Sequence, residues 1–217
     1  MNADDPDPVR RSYDAVAEDY AANIGDELDG KPLDRWLLER VVAFADGGPI
    51  LDAGCGPGHV AGFLASVAPN ASVYGFDLSP AMVALAQQRV PEASFRVGDL
   101  FDPPSHREGG GWAAIVAFYS IVHLDADELS EVFTALRSRV RPGGQLLVAC
   151  HCGDDRIHLD EWWGHDVTLD FVFHEREEVV GALTLAGLHV DEVIVRSPYA
   201  GVEHPSQRFY VLASAPG

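Results

Sequence analysis

A chain of 217 residues with 47% hydrophobic and 23% charged positions is long enough for one well-packed domain and short for two. Its formal charge of −19 comes from acids spread along the whole length, a surface that repels phosphate backbones and so sets aside nucleic acid and anionic membrane as partners. The longest apolar run, WAAIVAFYSIV (112–122), is too short to span a bilayer; three poorly spaced cysteines form no disulfide framework, and MNADDPDPVRR lacks the apolar core of a secretory leader, so a soluble cytoplasmic protein is expected.

VRRSYDAVAEDY (9–20) has helical spacing, with Val9, Tyr13, Val16 and Tyr20 on one side. PLDRWLLERVVAFA (32–45) is a second amphipathic helix opened by Pro32. Lys31, before it, is the only lysine and reads as compositional bias without functional content. Strand and helix signals then alternate. Strands are expected over 49–53, 71–78, 93–100, 113–120 and 145–150, and helices over 58–68, 79–90 and 125–140. Ser79 reads as the N-cap of the second of these helices, and RPGG as the stop of the third. Two further strands, 188–197 and 207–215, have no helix between them and suit an antiparallel hairpin. The fold class is therefore α/β: a Rossmann-like, doubly wound and mostly parallel seven-stranded sheet with an antiparallel C-terminal edge hairpin. One domain spans 1–217, with a helical lid at 1–46 and an insertion at 151–173 after the fifth strand.

In such a sheet, ligands bind beyond the carboxyl ends of the strands. Asp52, Asp77 and Asp99 close the first three strands, and Gly54, Gly56 and Gly58 follow the first directly. Asp77 stands about twenty residues beyond the glycines, where dinucleotide folds keep a ribose-binding acid. A nicotinamide oxidoreductase is disfavoured, however. GPGHVA (56–61) fits the loose fingerprint in the wrong register, and an Asp52 carboxylate would repel a pyrophosphate.

ILDAGCGPGHVA (50–61), YGFDLSPAMVALA (74–86) and VGDL (97–100) together resemble the class I S-adenosylmethionine-dependent methyltransferases, in the branch acting on small molecules. The resemblance implies S-adenosyl-L-methionine as cofactor. It implies that the backbone at Gly54, Gly56 and Gly58 lies against the cofactor's amino-acid part, with Asp52 anchoring the loop or orienting the ammonium. It further implies that Asp77 accepts from the ribose hydroxyls, with Leu78 and Met82 against adenine, and that Asp99 takes the adenine amino group beside Leu100. Phe118 and Tyr119 would line the cofactor side, and Tyr13 and Tyr20 resemble the lid across it.

His123, near the end of the fourth strand, is expected to face the acceptor as a general base, with His151 at the end of the fifth strand as second candidate. The connection 151–173 carries His158, Trp162 and Trp163, read as an aromatic wall for a small organic acceptor. No H-x-x-x-H or C-x-x-C spacing appears, so no metal is expected. The expected reaction is methyl transfer to oxygen or nitrogen of that acceptor, by a monomer or homodimer. A protein or RNA methyltransferase, or a non-catalytic binder of the same cofactor, is the alternative. The strong acidity and the absence of an N-P-P-Y-type tetrapeptide, where FYSI stands, count against nucleic-acid substrates.

Overall fold

Seven consecutive buried residues, Trp112–Phe118, mark the middle of the protein, because a strand so uniformly apolar needs helices on both faces of its sheet. The computed structural model describes residues 7–217. The start of the expected lid and most of the segment read against a leader therefore lie outside the described residues. In chain order the elements are α1 (Pro8–Ile24), a short 3₁₀ turn (Glu27–Gly30), α2 (Pro32–Ala45), β1 (Ile50–Ala53), α3 (His59–Val67), β2 (Val73–Asp77), α4 (Pro80–Arg89), β3 (Ser94–Val97) and β4 (Trp112–Phe118). There follow α5 (Ala126–Arg139), β5 (Val140–Cys152), β6 (Arg156–Trp162), β7 (His165–Val172), α6 (Arg176–Leu185), β8 (His189–Arg196) and β9 (Gln207–Ser214).

The main sheet has seven strands in the order β3-β2-β1-β4-β5-β9-β8. Pairing is parallel from β3 through β5, and β9 runs antiparallel between β5 and β8. Strand order reverses between β1 and β4, which opens a crevice at their carboxyl ends. Leu51, Ile115 and Val148 turn to one face under α5 and α6, while Ile50, Val116 and Leu147 turn to the other under α2 and α3. That alternation makes two cores from one sheet. Ser79 caps α4 as expected, its Oγ accepting from Met82 N at 3.1 Å.

One expectation needs correction. RPGG (141–144) does not separate a helix from a strand: the backbone is extended already at Val140, which pairs with Trp112, and β5 runs through the glycines with a bulge in the pairing. The segment 151–173, expected as an insertion after the fifth strand, has secondary structure that was not foreseen. It contains a separate antiparallel hairpin, β6–β7. One face of this hairpin is apolar, with Leu159, Val167, Leu169 and Phe171 packed against Val9, Tyr13, Val16 and Tyr20 of α1. Thr168 N donates to Ser12 Oγ at 2.9 Å, and a His165 ring nitrogen lies 2.7 Å from an Asp19 carboxylate oxygen. The hairpin and α1 together roof the carboxyl ends of the strands. Among the described residues no helix is long and apolar enough to cross a membrane.

Beside the crevice, a buried polar clamp ties α2 to the C-terminal hairpin. Arg196 on β8 donates to both carboxylate oxygens of Glu203 at 2.6 and 2.8 Å and to Asp34 of α2 at 2.8 Å. Tyr210 of β9 donates to the same Asp34 oxygen at 2.9 Å. The Asp34 and Glu203 side chains are wholly buried. Removing the cation strands two carboxylates away from water, so Arg196→Ala should lower the unfolding free energy by about 3–5 kcal/mol in urea titration. A loss below about 1 kcal/mol would mean that water enters the clamp.

Candidate active site

The site is built on the loop that leaves β1. Gly54 and Cys55 both donate their backbone N–H to Phe76 O at 2.9 Å, and Gly56 N donates to Asp77 Oδ2 at 2.8 Å. Ser79 N occupies the other oxygen, Oδ1, at 2.9 Å. Asp77 thus fastens the loop to β2, a role that its position in the sequence did not show. Gly54, Gly56 and Gly58 all have positive φ, at 75°, 51° and 87°. Their neighbours separate their duties. A Cβ on Gly54 would lie 2.3 Å from Ser120 Cβ, and one on Gly58 would lie 3.0 Å from Ala86 Cβ, so these two allow close packing. A Cβ on Gly56 would meet only Tyr20 Cε1, at 3.9 Å. Gly54 and Gly56 line the cavity below; Gly58 is placed against α4 instead.

Asp52 lies behind the loop, outside the cavity lining and 1% exposed. Among the described residues its Oδ2 has no hydrogen-bond partner. Burial pushes its pKa up to about 8, against a lowering by the Ala61 backbone and with a further push from Asp77. Burial thus disfavours the charged form on which the exclusion of a pyrophosphate rested.

A cavity of about 620 Å³ runs across the carboxyl ends of the strands, within the ~300–1,000 Å³ usual for small-ligand sites. Its lining includes Asp77, Leu78, Met82, Asp99 and Leu100 from β2, α4 and the segment after β3, Tyr13 and Tyr20 of α1 with the two glycines, Phe118, Tyr119 and His123 from the end of β4, and His151 and Trp162. The structure thus gathers most of the expected residues around one space. His158 and Trp163 stand apart from it. His158 is exposed, its ring nitrogens 2.7 Å from an Asp170 carboxylate oxygen and 3.0 Å from one of Asp160. Trp163 stacks on Trp162 with ring centroids 4.6 Å apart, forming an outer layer. Asp99 also has a local task, because its Oδ1 accepts from Phe101 N at 3.0 Å.

His123 is held from both sides. Its Nδ1 is 2.7 Å from Asp170 O, a carbonyl that only accepts, so Nδ1 carries the proton. Its Nε2 then accepts from the Tyr13 hydroxyl at 2.7 Å. Burial raises the Tyr13 pKa well above its ordinary value, which keeps that hydroxyl a donor. Burial lowers the pKa of His123, partly offset by the Asp170 carbonyl, so the ring is neutral with one fixed tautomer. His151 stacks on Phe173 at 4.7 Å, its Nδ1 2.7 Å from Ser206 Oγ; burial and the nearby Arg208 charge push its pKa down to about 3. Neither imidazole is an acid at neutral pH. Among the described residues no group of three or more His, Cys, Asp or Glu side chains could hold a metal ion.

Several contributors escaped the sequence. Asp14 of α1 accepts from Ser79 Oγ at 2.6 Å and from Ala81 N at 3.0 Å, joining the roof to the start of α4. Lys31 and Arg208 line the cavity although both are almost wholly buried. These contacts join residues tens of positions apart, and no local spacing announces them.

Residues 50–144 match a family model described as a methyltransferase domain. A probable S-adenosylmethionine-dependent methyltransferase of Mycolicibacterium smegmatis is 33% identical over 164 residues, covering 73% of this chain and 58% of that protein. The chain thus spans little more than half the length of that curated relative. Among solved structures, the DhpI–SAH complex superposes with TM-score 0.70 at 24% identity, covering 94% of each chain. Magnesium protoporphyrin IX methyltransferase (ChlM) of Synechocystis PCC 6803, with bound SAH, gives 0.68 at 21% identity, covering 95% of this chain and 98% of that one.

The residues present fit S-adenosylmethionine. The Asp77 carboxylate accepts from the backbone N–H groups of Gly56 and Ser79 and has acceptor capacity left for a ribose hydroxyl, and Gly56 leaves open the space that a side chain would fill. Asp77→Ala should weaken S-adenosylhomocysteine binding by about 10–100-fold in calorimetry, the equivalent of about 1.5–3 kcal/mol for bonds to a charged group. Unchanged affinity would remove Asp77 from the site.

Proposed function

We propose that this chain, which belongs to the class I S-adenosylmethionine-dependent methyltransferase family, transfers a methyl group to an oxygen or nitrogen of a small organic acceptor. The observation that carries this reading is the continuity of the cavity. A single space joins the acids at the ends of β2 and β3 to an aromatic chamber under the α1–hairpin roof. Trp162 stands edge-on to Tyr13 at 6.1 Å and to Tyr20 at 5.6 Å between centroids, so the roof over the glycine loop is made of rings. A chamber walled in this way suits a compact organic molecule and favours it over a loop of protein or RNA; the net charge of −19 is a further argument against RNA.

The cofactor supplies a methyl already activated by its sulfonium, so the protein's contribution is position, exclusion of water and removal of the acceptor's proton. His123 suits the last task. Its Nδ1–H is spent on Asp170 O, which leaves Nε2 as the single basic atom, and the Tyr13 hydroxyl holds that atom in place until an acceptor X–H takes its turn. Because burial lowers the pKa, the neutral, proton-accepting form persists to the acid side of the ordinary histidine value of about 6.5.

An acceptor identified by screening for S-adenosylhomocysteine release then tests His123. His123→Ala should lower turnover by about 10²–10⁴-fold while cofactor affinity stays nearly unchanged. The wild-type rate should be level from neutral pH down to about 6.5 and fall only below it. A rate that already declines between pH 8 and 7, or a fully active His123→Ala protein, would leave positioning alone as the source of catalysis.

A further inference from the structure

We infer that the acceptor carries a carboxylate, and that the Arg208 guanidinium, on the β5–β9 side of the cavity, receives it. This deepens the methyltransferase reading and rests on it. Arg208 is 3% exposed and lines the cavity. Its Nη1 donates to Ser206 O at 2.7 Å and to Ser206 Oγ at 2.6 Å, and its Nη2 donates to His204 O at 3.1 Å. These partners are neutral oxygens of one short loop; the guanidinium's charge faces Glu203 as an ion pair that uses none of its hydrogens. Nε–H, among the described residues, has no hydrogen-bond partner, and Nη2 keeps one of its two hydrogens. Five guanidinium hydrogens therefore face three acceptors.

The nearest carboxylate does not fill that gap. Glu203 Oε1 lies 3.5 Å from Nε, outside hydrogen-bond geometry, and Glu203 is already occupied by both arms of Arg196 and by Tyr199 N at 2.8 Å. Lys31, the only lysine, stands on the same side: its Nζ is 5.0 Å from the Tyr119 ring centroid, and Arg208 Cζ is 5.8 Å from that centroid. Lys31 is hydrogen-bonded to Glu27 at 2.7 Å and lies 3.7 Å from Glu203, so of the two cations only Arg208 has, among the described residues, no carboxylate hydrogen-bonded to it. A buried cation with unspent donors is costly unless a ligand completes it, and a carboxylate matches the side-on fork of a guanidinium.

Strand order decides which molecule brings the anion. Arg208 is paired with His151, on β9 against β5. Three strand spacings separate β9 from β1, roughly 14 Å at about 4.8 Å each. Asp77 lies a strand further away, on β2. The Arg208 backbone thus sits on the β5 side of the cavity beside His151, while its guanidinium reaches to 5.8 Å from the Tyr119 ring centroid; its place on the β5 side assigns the cation to the acceptor, and the S-adenosylhomocysteine arm of the test below separates this from the cofactor's own carboxylate.

Calorimetry on the full chain tests this with matched probes: 4-hydroxybenzoate and phenylacetate, each against its own carboxamide, with and without saturating S-adenosylhomocysteine. At least one acid should bind about tenfold or more tightly than its amide, and the preference should vanish in Arg208→Gln, whose affinity for S-adenosylhomocysteine should stay within about threefold of wild type. Arg208→Lys, which keeps the charge and loses the fork, should weaken the preference and serves if the glutamine variant does not fold. Equal binding of each acid and its amide to the wild-type protein would overturn the inference without any variant. So would a tenfold loss of S-adenosylhomocysteine affinity in Arg208→Gln with the acid preference intact, which would assign the guanidinium to the cofactor's own carboxylate. Retained acid preference in a protein that does not bind S-adenosylhomocysteine would support the anion site and overturn the methyltransferase reading separately.

Discussion

Three consecutive backbone N–H groups, those of Gly54, Cys55 and Gly56, are taken up by the last two residues of β2: Phe76 through its carbonyl and Asp77 through its carboxylate. That short ladder holds a loop whose glycines all sit at positive φ, a shape that would otherwise be one of many. It also turns Asp77 toward the cavity with its second oxygen held by Ser79 N. The loop, the orientation of the acid and the start of α4 are thus parts of one hydrogen-bonded unit. Asp14 extends this unit to the roof, because the same carboxylate oxygen that receives Ser79 Oγ belongs to α1. Parallel strands with β1 and β4 adjacent provide the crevice; the ladder gives it a floor of defined shape.

The roof follows from amphipathicity rather than from long-range polar design. Neither α1 nor the β6–β7 hairpin belongs to the seven-stranded sheet, and each has one apolar face. Packed together, they bury those faces and enclose a chamber whose walls are largely aromatic. Water exclusion strengthens the polar interactions inside it, which is why the pairing of Tyr13 with His123 matters: one neutral tautomer is selected without a charged partner. The acidic surface and the buried cations are consistent with this division. Most acids solvate the exterior, while Lys31 and Arg208 lie in the interior of the site beside Glu27 and Glu203.

Much of this was legible in the sequence. Strands bounded by glycine or aspartate, helices opened by Pro32 or by Ser79–Pro80, and the terminal hairpin all stand close to their expected positions, because apolar runs in a two-sided sheet are nearly continuous and their stops are chemical. The hairpin at 156–172 was missed for a physical reason. It is covered on one side only, and its exposed histidines and acids conceal the alternation of Ile157, Leu159, Val167, Leu169 and Phe171. Gly58 and Asp52 illustrate a second limit. Motif spacing identifies a loop, yet it does not separate a glycine needed for helix packing from one that faces a ligand, nor a charged acid from one whose charged form burial disfavours. Arg208 and Lys31 lay beyond reach, since their meaning depends on which carboxylates are already occupied.

The central claim is that one cavity holds both halves of a methyl transfer, with the adenosine end at β2 and β3 and the reacting end beneath the Tyr13–His123 pair. A crystal structure of the protein with S-adenosylhomocysteine tests it most directly. The account predicts ribose hydroxyls within hydrogen-bond distance of Asp77, the amino-acid part along Gly54 and Gly56, and the sulfur turned toward the aromatic chamber. Density for the ligand outside this cavity, or in it with the adenosine end against His123 and Trp162, would contradict the account.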